Sequence, residues 1–306
     1  MTPRLFKFST ALATLVVGAV FVLSPAQSAE LDQRAGQRDR GEYIFHLSGC
    51  VGCHTDKKGG GKFLAGGRPF KTDFGTFYSP NITPDQKTGL GDWTFENFQT
   101  ALRDGVSPSG ENYFPSFPYT SYTHMTTGDI KDLWVYLQSI PKVERANQDH
   151  DLNMPYGWRW TVTIWKALYL DKGAKPDWSR GRYVTEALAH CQECHTPRNF
   201  LGGSKGQMAF AGTKRNPEGV VIPNITPDKK TGVGKWDSSD FDLLFTIGML
   251  PDTDFVGGAM SESISHTTSK MTKQDRQAMI KYLKQLAPIE NRVKAEKPPK
   301  TNDEEW

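Results

Sequence analysis

Two five-residue segments constrain this chain more than any other feature: Cys50-Val51-Gly52-Cys53-His54 and Cys191-Gln192-Glu193-Cys194-His195. Both read C-x-x-C-H, the pattern through which a polypeptide attaches haem covalently. Two thiols three positions apart, on a turn that begins helical, can each add to a vinyl group of one macrocycle. The imidazole that follows then lies beneath the iron. His54 and His195 are therefore the expected proximal ligands, each with its second ring nitrogen left to donate to a backbone carbonyl. The two motifs consume all four cysteines of the sequence. The competing readings are a pair of disulfide loops, or one zinc site built from both C-x-x-C pairs. Zinc has no use for a histidine directly after each second cysteine, and a dithiol redox pair needs a thioredoxin-like setting that this sequence does not offer. The expected cofactors are two covalently bound haem c.

The sequence repeats itself around the motifs. Gly41-Glu42-Tyr43 recurs as Gly181-Arg182-Tyr183 at an offset of 140, and Cys50 recurs as Cys191 at 141. Asn81-Ile82-Thr83-Pro84-Asp85 with Trp93 recurs as Asn224-Ile225-Thr226-Pro227-Asp228 with Trp236 at 143, and Met125-Thr126 recurs as Met271-Thr272 at 146. Small loop insertions account for the drift. A short helix is predicted before each motif, carrying Tyr43, Ile44 and Leu47 in the first copy and Tyr183, Val184, Ala187 and Leu188 in the second. A closing helix follows in each, because Ile130, Leu133, Trp134 and Leu137 fall at helical spacing, as do Met279, Ile280 and Leu283. Thr126 and Thr272 are its N-caps, with Asp129 and Asp275 placed as in a capping box. Between the helices lie long Gly/Pro-rich loops with little regular structure, which a buried haem gives something to pack around. The expected fold is mainly α, two tandem cytochrome c domains, each a few helices and long loops around a covalent haem.

Within the repeated Asn-Ile-Thr-Pro-Asp segments, Asn81, Trp93, Asn224 and Trp236 are candidates for the haem edge, where an amide and an indole N–H can reach buried propionates. Turn chemistry and a core tryptophan explain the same residues equally well. A low-spin carrier also needs a second axial ligand, usually a methionine sulfur. The second copy offers Met260, preferred over Met271 and His266. The equivalent position in the first copy is Phe117, which cannot ligate iron. Met125 is the remaining sulfur before the connector and the expected ligand, with His124 as the alternative and an open site as a third. Met125 also reads as the residue before an N-cap, packing onto Ile130.

Export is expected from the start of the chain. Arg4 and Lys7 precede an apolar run from Ala11 to Leu23, with small residues following to Ala29. Residues 1–29 therefore read as a signal peptide, the apolar run being shorter than the roughly 20 residues of a spanning helix. Its removal takes away two basic residues and lowers the net charge from +3 to +1. A near-neutral surface argues against a nucleic-acid partner, and a mean hydropathy of -0.55 argues against a polytopic membrane protein. At most peripheral membrane association and a periplasmic location are expected. The domains are then 30–145 and 179–288, joined by an aromatic-rich connector, 146–178, and followed by a polar tail, 289–306, expected to be disordered. The connector is expected to pack across both domains; a docking surface for a partner is the alternative.

With these motifs in view, the chain resembles the multihaem cytochrome c subunits of periplasmic dehydrogenases acting on gluconate, sorbitol and alcohols. The resembling stretches are Gly49 to His54, the two Asn-Ile-Thr-Pro-Asp segments, Phe114-Pro115-Ser116-Phe117-Pro118-Tyr119, and Arg180 through Cys191-Gln192-Glu193-Cys194-His195 to Asn199. The resemblance implies a protein that takes electrons from a periplasmic dehydrogenase and passes them to a downstream acceptor. It also implies a methionine at the position of Met125 as ligand where Phe117 replaces the usual one. No dinucleotide fingerprint or catalytic base constellation is visible, so the chain reads as an electron-transfer subunit and not an enzyme. The alternative is a dihaem redox enzyme, thiosulfate-oxidising or peroxidase-like, with one displaceable haem ligand.

Overall fold

A computed structural model of the chain describes residues 25–214 and 221–293. The leader to Ser24, and with it nearly all of the expected signal peptide, lies outside the described residues, as does the tail from residue 294. A first unit ends at Gly36, and the described residues from Gln37 onward form a second, compact unit. Helix α1 (Pro25–Leu47) runs from the first into the second. Among the described residues no helix is long and apolar enough to cross a membrane.

The elements repeat in the order that the sequence repeats. In the first copy, α1 leads to α2 (Cys50–His54), a hairpin of β1 (Pro69–Thr72) and β2 (Gly75–Tyr78), then α3 (Phe95–Asp104), α4 (Tyr119–Tyr122) and the closing helix α5 (Thr127–Ser139). A short β3 (Asp151–Leu152) adds antiparallel to β2 and α6 (Arg159–Tyr169) follows it. The second copy has α7 (Arg180–Arg182) continuing into a π turn (Tyr183–Leu188), then α8 (Gln192–His195), α9 (Ser238–Ile247), α10 (Gly258–His266) and the closing helix α11 (Lys273–Gln285). The fold is mainly α, as expected.

The loops expected to hold little regular structure carry a hairpin, α3 and α4 in the first copy and α9 and α10 in the second. Helices α3 and α9 each start at a capping box, Thr94 with Asn97 and Asp237 with Asp240, and each ends at a left-handed glycine, Gly105 and Gly248. Each buries one face, through Phe98, Ala101 and Leu102 in α3 and Phe241, Leu244 and Phe245 in α9. The cap-then-apolar pattern that defines a helix start was present in the sequence at both places.

The entry to the second motif also differs from the first. Tyr43 precedes Cys50 by seven residues, whereas Tyr183 precedes Cys191 by eight. The extra residue is absorbed by winding Tyr183–Leu188 as a π turn, with Ala189 N–H donating to the Val184 carbonyl at 2.8 Å. A single inserted residue in a helix is commonly accommodated in this way.

Both copies contribute to one hydrophobic cluster. Ile44, Leu47, Met125, Ile130 and Leu137 of the first copy join Val184, Leu188, Phe241, Met279 and Leu283 of the second. Within each copy the entry helix crosses the closing helix at a glycine. A Cβ on Gly41 would stand 2.0 Å from the Asp132 carbonyl oxygen, and one on Gly181 would stand 2.1 Å from that of Ala278. The connector touches both copies. Lys166 Nζ donates to the Asp104 and Gly105 carbonyls, while Trp165 Nε1 donates to the Leu201 carbonyl at 3.0 Å and Asn199 to the Tyr169 hydroxyl at 2.9 Å. Its outer side is apolar, with Trp158, Trp160, Ile164 and Leu168 exposed.

The glycine crossings yield a direct test. Gly181→Val should destabilise the protein by about 1–3 kcal/mol or more, since the obstructing atom is a backbone carbonyl that cannot rotate away. Denaturant unfolding followed by circular dichroism measures it, and a native midpoint would show that the crossing tolerates a side chain.

Candidate haem-attachment site

Each motif forms a single helical turn that presents its residues in the same way. Cys50 and Cys191 are half-buried, Cys53 and Cys194 exposed, and the four are not joined in disulfides. Burial pushes the thiols of Cys50 and Cys191 up to about 12. Among the described residues no three His, Cys, Asp or Glu side chains come together as a metal-holding group. A single zinc site joining both C-x-x-C pairs has no such cluster among the described residues.

The histidines are held identically. His54 Nδ1 lies 2.8 Å from the Pro80 carbonyl oxygen, and His195 Nδ1 lies 2.9 Å from that of Pro223. A carbonyl can only accept, so Nδ1 carries the proton and Nε2 the lone pair. Removal from water lowers both histidine pKa values, outweighing the opposite pull of the two carbonyls, and both rings are neutral at pH 7. Two thiols and one neutral imidazole with an oriented donor nitrogen, present twice, fit the axial and thioether demands of a haem c.

The carbonyls of Pro80 and Pro223 are placed by the next residue in each copy. Asn81 Nδ2 donates to Thr88 Oγ1 at 3.0 Å and to the Val143 carbonyl at 2.7 Å, while its Oδ1 accepts from the amide and hydroxyl of Thr83. Asn224 repeats this set with Thr231, Ile289 and Thr226. Both amide hydrogens of each side chain are thus engaged within the protein. These bonds are the turn chemistry expected of both asparagines. Trp93 and Trp236 are half-buried against the core. The Ile289–Asn291 segment, placed by sequence at the start of the tail, is tied down here: Asn291 donates to the Ala211 carbonyl at 2.8 Å, as Arg145 does to that of Ala65 at 3.3 Å.

The candidate sixth ligands sit in different settings. Met125 is wholly buried and Met271 nearly so, at equivalent places in the core. Each carbonyl accepts from an arginine, Arg103 at 3.0 Å and Arg276 at 2.6 Å. The His124 ring is turned into the connector, with Nδ1 2.8 Å from the Gly173 carbonyl and the Trp178 ring at 4.7 Å. Met260 is half-buried on α10. His266 Nε2 meets Lys57 Nζ at 2.7 Å. Phe117 packs among Tyr113, Tyr119 and Tyr122.

Sequence reasoning missed the contacts that tie each motif to the other copy, through Arg68 at the first motif and directly at the second. Arg68 donates to the Gly52 carbonyl and pairs with Glu262 of α10 at 2.6 Å. Glu193 accepts from Thr120 at 2.7 Å and Ser121 at 3.2 Å, besides pairing with Arg198. The closing-helix caps are also shared. Thr126 and Thr272 cap their helices as expected, accepting from the amides of Asp129 and Asp275 at 3.0 and 3.2 Å. The reciprocal half of each capping box is diverted to a tyrosine of the other copy. The Tyr43 hydroxyl accepts from the Thr272 amide at 3.2 Å and donates to Asp275 at 2.6 Å. The Tyr183 hydroxyl likewise accepts from the Thr126 amide at 3.1 Å and donates to Asp129.

Comparison with known proteins agrees with this site. A cytochrome c family model matches residues 39–141, the first copy. A dihaem c-type cytochrome of Cereibacter sphaeroides is 42% identical over 83% of this chain and 88% of that protein. The chain belongs to the cytochrome c family. This cytochrome is also 35% identical to the gluconate 2-dehydrogenase cytochrome c subunit of Pantoea cypripedii and 32% identical to the fructose dehydrogenase cytochrome subunit of Gluconobacter japonicus. Those alignments cover 81% and 91% of the chain but only 59% of either relative.

The tyrosine clasp that joins the copies of the cytochrome can be measured. Tyr43→Phe and Tyr183→Phe should each cost about 1.5–3 kcal/mol, the range for a hydrogen bond to a charged partner. Unfolding curves of the two variants would show it, and stability unchanged in both would mean that the clasp contributes nothing net.

Proposed function

We propose that this cytochrome carries two haem c groups outside the cytoplasm and relays electrons from a dehydrogenase partner toward a downstream acceptor. The observation that carries the reading is the duplicated C-x-x-C-H turn with an oriented, neutral histidine in each copy. When bound, haem supplies reversible one-electron chemistry at iron. The protein's part is to hold that group by two thioethers, to orient the proximal imidazole through Pro80 or Pro223, and to surround it with apolar side chains. Periplasmic residence is supported by the signal-like leader at 1–29 and by the dehydrogenase cytochrome subunits among the relatives. Domains at 30–145 and 179–288, joined by 146–178, each supply one haem site.

His54 and His195 serve as proximal ligands, and Met125 and Met260 as the sixth ligands. Met125 is favoured over His124 because the His124 ring is engaged with Gly173 and Trp178, and Met125 is the remaining sulfur of the first copy before the connector. The indoles of Trp93 and Trp236 remain candidates for the propionate edge. The relatives named as subunits of gluconate and fructose dehydrogenases support electron carriage, with substrate chemistry left to the partner. They favour it over a thiosulfate- or peroxide-directed reaction at a displaceable ligand.

A haemochrome assay of the purified protein should return two covalently held haems per chain; one or none would end the reading. Met125→Ala should abolish one methionine-to-iron charge-transfer band. Met271→Ala, its packing counterpart, should lower stability by a comparable amount, about 2–5 kcal/mol, and leave the spectrum intact. An unchanged spectrum in Met125→Ala removes that ligand assignment.

A further inference from the structure

The two copies differ at the residue that precedes each attachment motif. Gly49 stands before Cys50, and His190 before Cys191. Both adopt a left-handed backbone, with φ of 64° and 40°. Glycine takes that conformation freely, whereas a Cβ makes it costly. The second copy therefore keeps a side chain where the local fold favours none, which turns attention to what the imidazole does.

The ring reaches into the first copy. A Cβ built on Gly49 would stand 3.8 Å from His190 Nε2, so the imidazole lies against the residue bonded to Cys50. It meets the Tyr122 ring in a T-shaped contact at 5.6 Å and 81°, and the Tyr122 hydroxyl donates to the Ser48 carbonyl at 2.8 Å. His190 also interacts with the Ser48 backbone. The π turn that absorbs the extra residue ends at Leu188, two residues before His190. From Cys191 to Cys50 the path is thus covalent to His190, crosses one contact to Ser48–Gly49, and is covalent again.

We propose that His190 is the conducting bridge between the two haem-attachment sites. One electron crosses, oxidising one site and reducing the other, with no bond made or broken and no proton moved. A path with a single non-bonded step carries an electron better than one with several, and through His190 the two motifs are joined by one such step. The inference rests on the two-haem reading given above. His190 acts by position and contact; it is not a ligand and touches no substrate.

The test uses the full-length holoprotein and the variants His190→Gly and His190→Gln. Haem count and a redox titration come first. The protein is then partly reduced by a rapid pulse, and redistribution of the electron between the two haems is followed optically. His190→Gly should keep two haems, both potentials and a native or higher unfolding midpoint, because it restores the residue that the backbone favours. Its redistribution rate should fall several-fold, and His190→Gln, which again fills the gap with a polar side chain, should recover part of the loss. A native rate in His190→Gly overturns the proposal. So does a slowdown accompanied by lost haem or a lowered midpoint, which marks a packing role. Fewer than two haems in the native protein defeats the two-haem reading instead.

Discussion

An entry helix can approach a closing helix to backbone distance only where a side chain is missing, and in both copies that place is a glycine. Gly41 lies against the Asp132 carbonyl and Gly181 against that of Ala278. The crossing sets the direction in which each entry helix leaves for its motif. Two residues beyond each glycine, a tyrosine leaves its own copy and enters the cap of the other's closing helix. A few residues further, the chain turns through a left-handed residue into C-x-x-C-H. The positions of the clasp and of both motifs thus descend from one steric fact in each copy.

The clasp explains why the copies share a core instead of lying as separate beads. A capping box ordinarily satisfies an amide and a carboxylate within one helix. Here a hydroxyl stands between them, accepting from the amide and donating to the carboxylate, so that each helix start is complete only when the other copy is present. The arrangement is reciprocal, Tyr43 on Thr272 and Asp275, Tyr183 on Thr126 and Asp129. It draws together the two segments before the cysteines, where Ser48 and Gly49 meet His190. The grips of Arg68–Glu262 and of Glu193 with Thr120 and Ser121 hold the same junction from either side.

Much of the local chemistry was legible in the residue pattern. The motifs, the repeat, the closing helices with buried Ile130, Leu133 and Leu137, and the threonine caps all depend on neighbours close in sequence. Helices α3 and α9 were legible too, through their capping residues, but were masked by the surrounding glycines and prolines. The roles of Asn81 and Asn224 were only half legible. Their conserved neighbours within the chain marked a turn, yet their donors are spent on Val143 and Ile289, some 60 residues away. Pattern alone left their amides open for a propionate.

The sequence by itself determined the two C-x-x-C-H segments and with them the haem c expectation, because thioether attachment and proximal ligation require particular residue types at a spacing of a few positions. It also determined the duplication, and through the one-residue change in offset it held the reason for the π turn before the second motif. Only the tertiary structure decided how the copies meet, since Tyr43 and Asp275 lie 232 residues apart and no local preference links them. The same holds for His190, which in sequence is merely the residue before a cysteine. Its place between the two sites exists because helix crossing, clasp and π turn bring remote segments together, and contacts of that kind are selected by packing and not by periodicity.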